Sequence, residues 1–210
     1  QELRLPRAIL AAVIGATLAL TGAALQGLVR NPLAAPEMFG APGAAAFGAV
    51  VMLATGAAAR LSYLLPFVAM LSTLASVWAL LALAGRSASM LTLLLAGLAL
   101  SSLTSAAISL VLNLAPNPYA ALDITFWLLG SLEDLSFRHL AIAGPFVLGA
   151  WGLLLTTRGQ LRILTLGEDV ARTSGVDMAR LTFLTLLGVA LGTGSVVAVS
   201  GIIGFVGLIV

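Results

Sequence analysis

Long runs without a single charged residue decide what this chain can fold into. Residues 8–29, 61–85, 87–122, 139–157 and 181–210 contain no Asp, Glu, Lys or Arg. A hydrocarbon layer about 30 Å thick is crossed by about 20 apolar residues in a helix rising about 1.5 Å per residue. Six segments fit that requirement, roughly 7–29, 41–59, 61–84, 88–113, 139–157 and 181–200. None alternates apolar and polar residues as a barrel strand does, so the expected fold is all-α. It is a single polytopic transmembrane domain over 1–210. Hydrophobic residues make up 60% of the chain and charged residues 9%, too few charges to clothe a water-soluble globule. Cysteine is absent, which excludes disulfides and thiolate ligands. Lysine is absent too, and the arginines are too few for a nucleic-acid surface; they set topology.

The chain opens on Gln1 and stops within the apolar run GIIGFVGLIV, which reads as part of a longer membrane domain with helices on both sides. With six crossings the loops alternate sides. Arg30, Arg86, Arg158, Arg162, Arg172 and Arg180 then share one side, against Arg4, Arg7, Arg60 and Arg138 on the other. The positive-inside rule makes the first side cytoplasmic. Within the helices, Ala11, Gly15, Ala19, Ala23 and Gly27 recur every four residues, and Gly188 and Gly192 form a GxxxG pair. Such small stripes are expected packing surfaces, because membrane helices gain by close backbone approach. The ridge Gly97, Ser101, Ser105, Ser109 has two readings: its hydroxyls line a polar pathway, or they bond back to their own helix. RAILAAVIGATLALTG from Arg7 and RLTFLTLLGVALGTG from Arg180 share an Arg and a Gly eight residues on, a weak repeat whose copies run in opposite directions.

No ionisable residue falls in the middle of an expected span, which argues against an ion-coupled carrier. Without lysine there is no phosphate-binding GxxxxGK[ST] loop, so transport energy must come from a partner. The stretch TLGEDVARTSGVDMAR, residues 165–180, is suited to meet one. Seven of the chain's charged residues, from Arg158 to Arg180, crowd into and beside it. Thr165 and Glu168 have the spacing of a capping box, Asp169 adds negative charge at the helix's positive end, and Gly175 suits a left-handed stop. The expected helix, about 165–175, is too short to span. Leu166 and Val170 share one face, and Asp169, Arg172 and Thr173 can face outward. Asp177 is placed to cap the next spanning helix.

LTLGEDVARTSGVD resembles the cytoplasmic coupling loop of the FecCD-type ABC importer permeases, the family that imports iron–siderophores, haem and cobalamin. Four further blocks agree in order: RLPR at 4–7, GAALQGLVRNPLAAPEMFG at 22–40, LLLAG at 93–97 and GIIGFVGLIV at 201–210. Ser174 departs from the usual leucine of the coupling loop, and Glu37 and Phe39 depart from a block that often reads P-G-L-L-G. The resemblance implies a permease subunit without enzymatic chemistry, lying in a bacterial inner membrane. Its implied partners are a second permease subunit, two cytoplasmic ATPases and an external substrate-binding protein; no cofactor is implied. By the match, Gly167, Glu168, Asp169, Ala171, Arg172 and Gly175 form the ATPase-coupling surface. Arg4 and Arg7, with Pro6 rigid between them, offer guanidinium forks to carboxylates of the binding protein. The cytoplasmic gate maps near Ser89, Met90 and Leu91, apolar enough to close by excluding water.

The remaining candidates read more simply. His139 is the only histidine, beside Arg138, and one imidazole builds no metal site. Trp127, Phe126 and Tyr119 anchor the segment 114–138 at the interface or, for Trp127, wall a substrate vestibule. Pro32 breaks the chain after the first helix. The expected function is translocation of a chelate, with an ion-coupled secondary transporter as the alternative.

Overall fold

The computed structural model describes residues 4–85, 89–133, 135–204 and 206–209. Arg86 of the arginine count and Phe205 and Val210 of the last block lie outside the described residues. In chain order the α-helices are α1 (Arg4–Val29), α2 (Ala41–Ala54), α3 (Ala57–Arg60), α4 (Leu65–Ala84), α5 (Met90–Asn113), α6 (Pro118–Leu128), α7 (Phe137–Leu164), α8 (Glu168–Thr173) and α9 (Met178–Ser200). Of these, α1, α4, α5, α7 and α9 are long and apolar enough to cross a membrane. The expected all-α class holds: among the described residues there is no strand.

At the centre stands α9, which packs against α1, α2, α4 and α7 and buries 72% of its apolar window. Small residues make that possible. A Cβ on Gly188 would lie 2.7 Å from Leu154 Cδ2, and one on Gly192 would lie 2.8 Å from the Thr21 methyl. The expected GxxxG contact is therefore a real one. Most buried hydroxyls are satisfied within their own helices: Thr17, Thr73, Thr193 and Ser200 each donate to the carbonyl four residues back, whereas the buried Thr185 hydroxyl has no partner among the described residues. Trp151 Nε1 donates across helices to Thr17 Oγ1 at 3.1 Å, tying α7 to α1.

The small stripe on α1 is not the main packing surface, and only Gly27 at its end meets another helix, at Leu161. Gly15 has nothing within 4 Å of a would-be Cβ, and Ala23 is exposed. The buried face is instead Leu10, Ile14, Thr17, Leu18, Thr21, Gly22 and Leu25, where large residues interdigitate. Gly22 alone makes a very close approach, to the backbone of Gly207. The two copies of the weak repeat thus use their aligned glycines differently, Gly15 open and Gly188 packed.

Several boundaries differ from expectation, each for a local reason. The segment 41–59 yields only the 14-residue α2, and Gly56 (φ +68°) ends it before the one-turn α3. The segment 61–84 begins with a 3-10 turn, and its helix starts at Leu65 just ahead of Pro66. The segment 139–157 grows into α7, which carries Arg158 and Arg162 along its exposed side to Leu164. Residues 88–113 and 181–200 correspond to α5 and α9, with starts at Met90 and Met178. The helix α6 was not expected. Its signal was Asn-Pro: Asn117 Oδ1 accepts from Ala120 N at 2.8 Å, with Pro118 in the first helical position.

The shortness of α2 follows from the path that precedes it. Arg30 adopts φ 54° and ends α1, and Asn31 Oδ1 accepts from Leu33 N in a tight turn. Residues 36–39 then form a 3-10 turn stopped by Gly40 at φ +75°. This turn does not stay at the end of the bundle. Ser101 Oγ donates to the Glu37 carbonyl at 2.7 Å, and Gly97 meets the Met38 carbonyl. Counted at about 1.5 Å per residue, Ser101 is about 17 Å along the roughly 36 Å of α5. The chain therefore re-enters to mid-depth before α2 begins, and α2 has only the remaining depth to cross. Residues 206–208 form a second such turn against α1 and Pro36.

Candidate functional site

Residues 30–35, 85, 89 and 164–178 gather at one end of the bundle, and residues 4–7, 114–133, 135–136 and 200–201 at the other. At the first end α8 is built by its stop rather than by its start. Gly175 takes φ +82°, Gly175 N donates to Arg172 O at 3.0 Å, and Val176 N donates to Ala171 O at 3.0 Å. These paired bonds are the Schellman arrangement, and its accompanying apolar contact is present as buried Ala171 and Val176. The cap of α9 follows directly, with Asp177 Oδ1 accepting from Arg180 N at 3.0 Å. One residue, Val176, separates the stop from the next cap, so α8 and α9 are joined without slack.

The start differs from the expected capping box. Gly167 is the N-cap of α8, and Thr165 Oγ1 donates to Arg162 O at 2.7 Å, closing the end of α7 instead. Glu168 turns toward Arg172, whose Nε and Nη2 donate to the same carboxylate oxygen at 3.2 and 2.8 Å. Leu166 and Val170 do not form a buried face: they are 72% and 42% exposed, whereas Ala171 is fully buried. The six-residue helix thus inserts one small residue into the core and presents Val170, Asp169 and Thr173 outward, with Leu166 exposed in the turn before it. A cavity of about 680 Å³ separates Glu168 and Arg172 from Gly85, Met90 and Leu93 of the α4–α5 hairpin.

The positions expected at a gate are partly structural. Ser89 Oγ accepts from Thr92 N at 3.2 Å and caps α5, Met90 packs on the central cluster, and Leu91 is 65% exposed. At the opposite end, Arg7 donates to the Glu133 carbonyl, while Arg4 is exposed. His139 Nδ1 accepts from Ser136 N at 3.1 Å, so this histidine caps α7. Among the described residues no cluster of three His, Cys, Asp or Glu side chains could hold a metal. Trp127 lies against Ala45, Ala69 and Val197, seating α6 on the bundle, and Tyr119 is exposed.

The serine ridge resolves residue by residue. Ser101 holds the re-entrant turn, Ser109 donates back to Ser105 O at 3.0 Å, and both Ser105 and Ser109 are exposed. Sequence reasoning missed Glu37. It falls outside every expected span, yet its backbone sits near the midpoint of α5, so an ionisable group does lie at membrane depth. The signal was present in Pro32, Pro36 and Gly40, which deny residues 31–40 an α-helix, and the shortness of the following α2 is seen only in the structure.

A family model described as the FecCD transport family matches residues 1–210. An uncharacterized ABC transporter permease protein, YvrB of Bacillus subtilis (strain 168), is 39% identical over 100% of this chain and 60% of its own length. The cobalamin import system permease protein BtuC of Halobacterium salinarum is 36% identical over 99% of this chain and 56% of its own. The chain therefore spans a little over half the length of these relatives. A solved structure described as an inward-facing conformation of a metal-chelate type ABC transporter superposes with a TM-score of 0.91 and 34% identity. That superposition covers 99% of this chain and 67% of the other.

Proposed function

The chain belongs to the FecCD transport family, and from that premise we propose that it is the membrane-spanning part of an ATP-driven importer for a chelate. The observation that carries the reading is α8: a stopped helix that, with Leu166 in the turn before it, leaves Val170 exposed while Ala171 locks it to the core. A plain connector needs neither feature. Cytoplasmic ATPases would grip this surface, a second permease subunit would complete the path, and an external binding protein would deliver cargo to the end carrying Arg4 and Arg7. The relatives' names include cobalamin import and molybdate import at similar identity, so they assign no cargo, and a chelate is our reading. An ion-coupled secondary carrier is not favoured, because the family match covers the whole chain; the missing-charge argument against it no longer stands now that Glu37 lies at mid-depth. The test is uptake into vesicles holding the full-length permease with its ATPase and binding protein. Uptake should persist when ionophores collapse ion gradients and stop without internal ATP; the reverse dependence rejects the reading.

The orientation has its own test. Residues 1–210 contain no cysteine, so in a full-length permease with any cysteines elsewhere replaced, Asp169→Cys and Thr173→Cys each introduce a single thiol. Both side chains are exposed, and an impermeant thiol reagent should reach them only from the cytoplasmic side. Labelling of intact cells from outside would invert the topology.

Binding-protein docking is tested at the other end. Arg4→Glu with Arg7→Glu should weaken association about tenfold at low salt, and the wild-type interaction should be salt-sensitive, since exposed pairs steer and register more than they bind. Because Arg7 also holds the Glu133 carbonyl, Arg4→Glu alone separates docking from local structure. Unchanged affinity in the double variant would move the docking surface elsewhere.

A further inference from the structure

Three arginines converge where α1 and α7 end together, and no carboxylate of the described chain neutralises them. Trp151 Nε1 of α7 meets Thr17 of α1, and Leu161 lies 3.8 Å from the place a Cβ on Gly27 would occupy. Both contacts join residues 134 positions apart, so the two helices run parallel in one register. On α7, Trp151, Leu155, Arg158 and Arg162 have the spacing of a single face, which Trp151 turns toward α1. On α1, Ala23, Gly27 and Arg30 share a face in the same way. In this register Arg30 stands level with Leu164, about 3 Å beyond Arg162 and about 9 Å beyond Arg158. All three arginines are exposed. Among the described residues the ion pair is Arg172 with Glu168, and none of the three has a carboxylate within pairing distance.

Depth and shape add to the charge. From Phe137 to Arg158 α7 rises about 32 Å, close to the thickness of the hydrocarbon layer, so the arginines stand at the level of the lipid phosphates. Toward mid-depth the seam is apolar and shallow: Ala23 is exposed, Leu155 is 51% exposed, and a Cβ on Gly159 would meet nothing within 4 Å. Topology asks for positive charge at this end of the helices but not for its convergence on one seam. Like charges held this close repel unless an anion lies between them.

We propose that the α1–α7 seam binds an anionic glycerophospholipid, with Arg30, Arg158 and Arg162 around its phosphodiester and an acyl chain over Ala23 and Leu155. Guanidinium forks match phosphate oxygens bidentately. A zwitterionic headgroup is disfavoured, because it brings its own cation among the arginines. The site lies outside the permease reading and requires only that α1 and α7 cross a bilayer, so transport and lipid binding can fail separately.

Trp151 reports from within the seam, about 11 Å from Arg158 along α7, the depth of a bromine placed mid-chain. The full-length permease is placed in phosphatidylcholine nanodiscs containing increasing fractions of dibrominated phosphatidylglycerol or, in parallel, dibrominated phosphatidylcholine. The difference between wild type and Trp151→Phe isolates the quenching of this one indole. The fraction giving half-maximal quenching should be at least about fivefold lower for phosphatidylglycerol, the factor that a single arginine supplies at an anionic surface. The preference should fall to about one when Arg30, Arg158 and Arg162 are all replaced by Gln. It should stay above about threefold with Lys at all three, since the charge is kept while the forks are lost. Four outcomes overturn the proposal. They are equal quenching by the two lipids, a preference that survives the Gln variant, one lost equally in the Lys variant, or an indole that neither lipid quenches, which means protein covers the seam.

Discussion

Exchanging the two charges of α8, Glu168→Arg with Arg172→Glu, is expected to lower transport at least about tenfold while membrane insertion and subunit yield stay normal. The pair is exposed, with side-chain accessibilities of 43% and 61%, and an exposed i,i+4 pair contributes only about 0.3–0.5 kcal/mol to helix stability. Reversal also sets the charges against the helix dipole, which costs about 0.3–1 kcal/mol per group. Neither sum unfolds a helix anchored by Ala171 and by the Gly175 stop. A loss of transport must then come from what the charges meet outside the chain. The exchange keeps an opposite pair in place, so it distinguishes a partner contact from a purely internal bond. If the pair served only α8, the exchanged variant would transport nearly as well as the wild type, and ATP hydrolysis would respond normally to the binding protein. The expected result is hydrolysis that no longer drives uptake. Glu168→Gln with Arg172→Gln, which removes the charges without reversing them, should fall between the two.

The second large effect concerns one methyl group. Gly22→Ala should destabilise the protein by about 1–3 kcal/mol or more, because its Cβ would collide with backbone atoms of Gly207, which cannot rotate away as a side chain could. Gly15→Ala, seven residues earlier on the same helix, meets open space and should be neutral or gain up to about 1 kcal/mol from helix propensity. Thermal loss of the monodisperse species in detergent measures both. Equal midpoints for the two variants would mean that the 206–208 turn does not lie on α1. A large gap would establish by stability what neither glycine's place in the sequence shows, since both sit in one uninterrupted apolar run.

Much of this molecule is determined locally. Uncharged runs of spanning length dictate helices, because in hydrocarbon every backbone group must find its partner within its own segment. The stop of α8 was legible in Gly175 and the cap of α9 in Asp177, since each acts within one turn of its own position. The family resemblance, too, lay in the order of short blocks. What the sequence by itself did not determine is depth and facing. The small stripe on α1 and the buried face of α1 have the same helical period, and only the positions of α7 and α9 decide which one packs. Thr165 had the right spacing to cap α8, but the end of α7 extends far enough to take its hydroxyl first. Leu166 and Val170 look like a core face by pattern, yet the small Ala171 is the residue that fits beneath the turn. Glu37 is the clearest case. Read along the chain it belongs to a loop between spans, and loops are assigned to water. The two turns that carry 36–39 and 206–208 back into the bundle are held by contacts between residues 64 and about 185 positions apart, Ser101 with Glu37 and Gly207 with Gly22. Depth in the membrane is set by those distant contacts, and a charge's chemistry changes with its depth; no local pattern contains either.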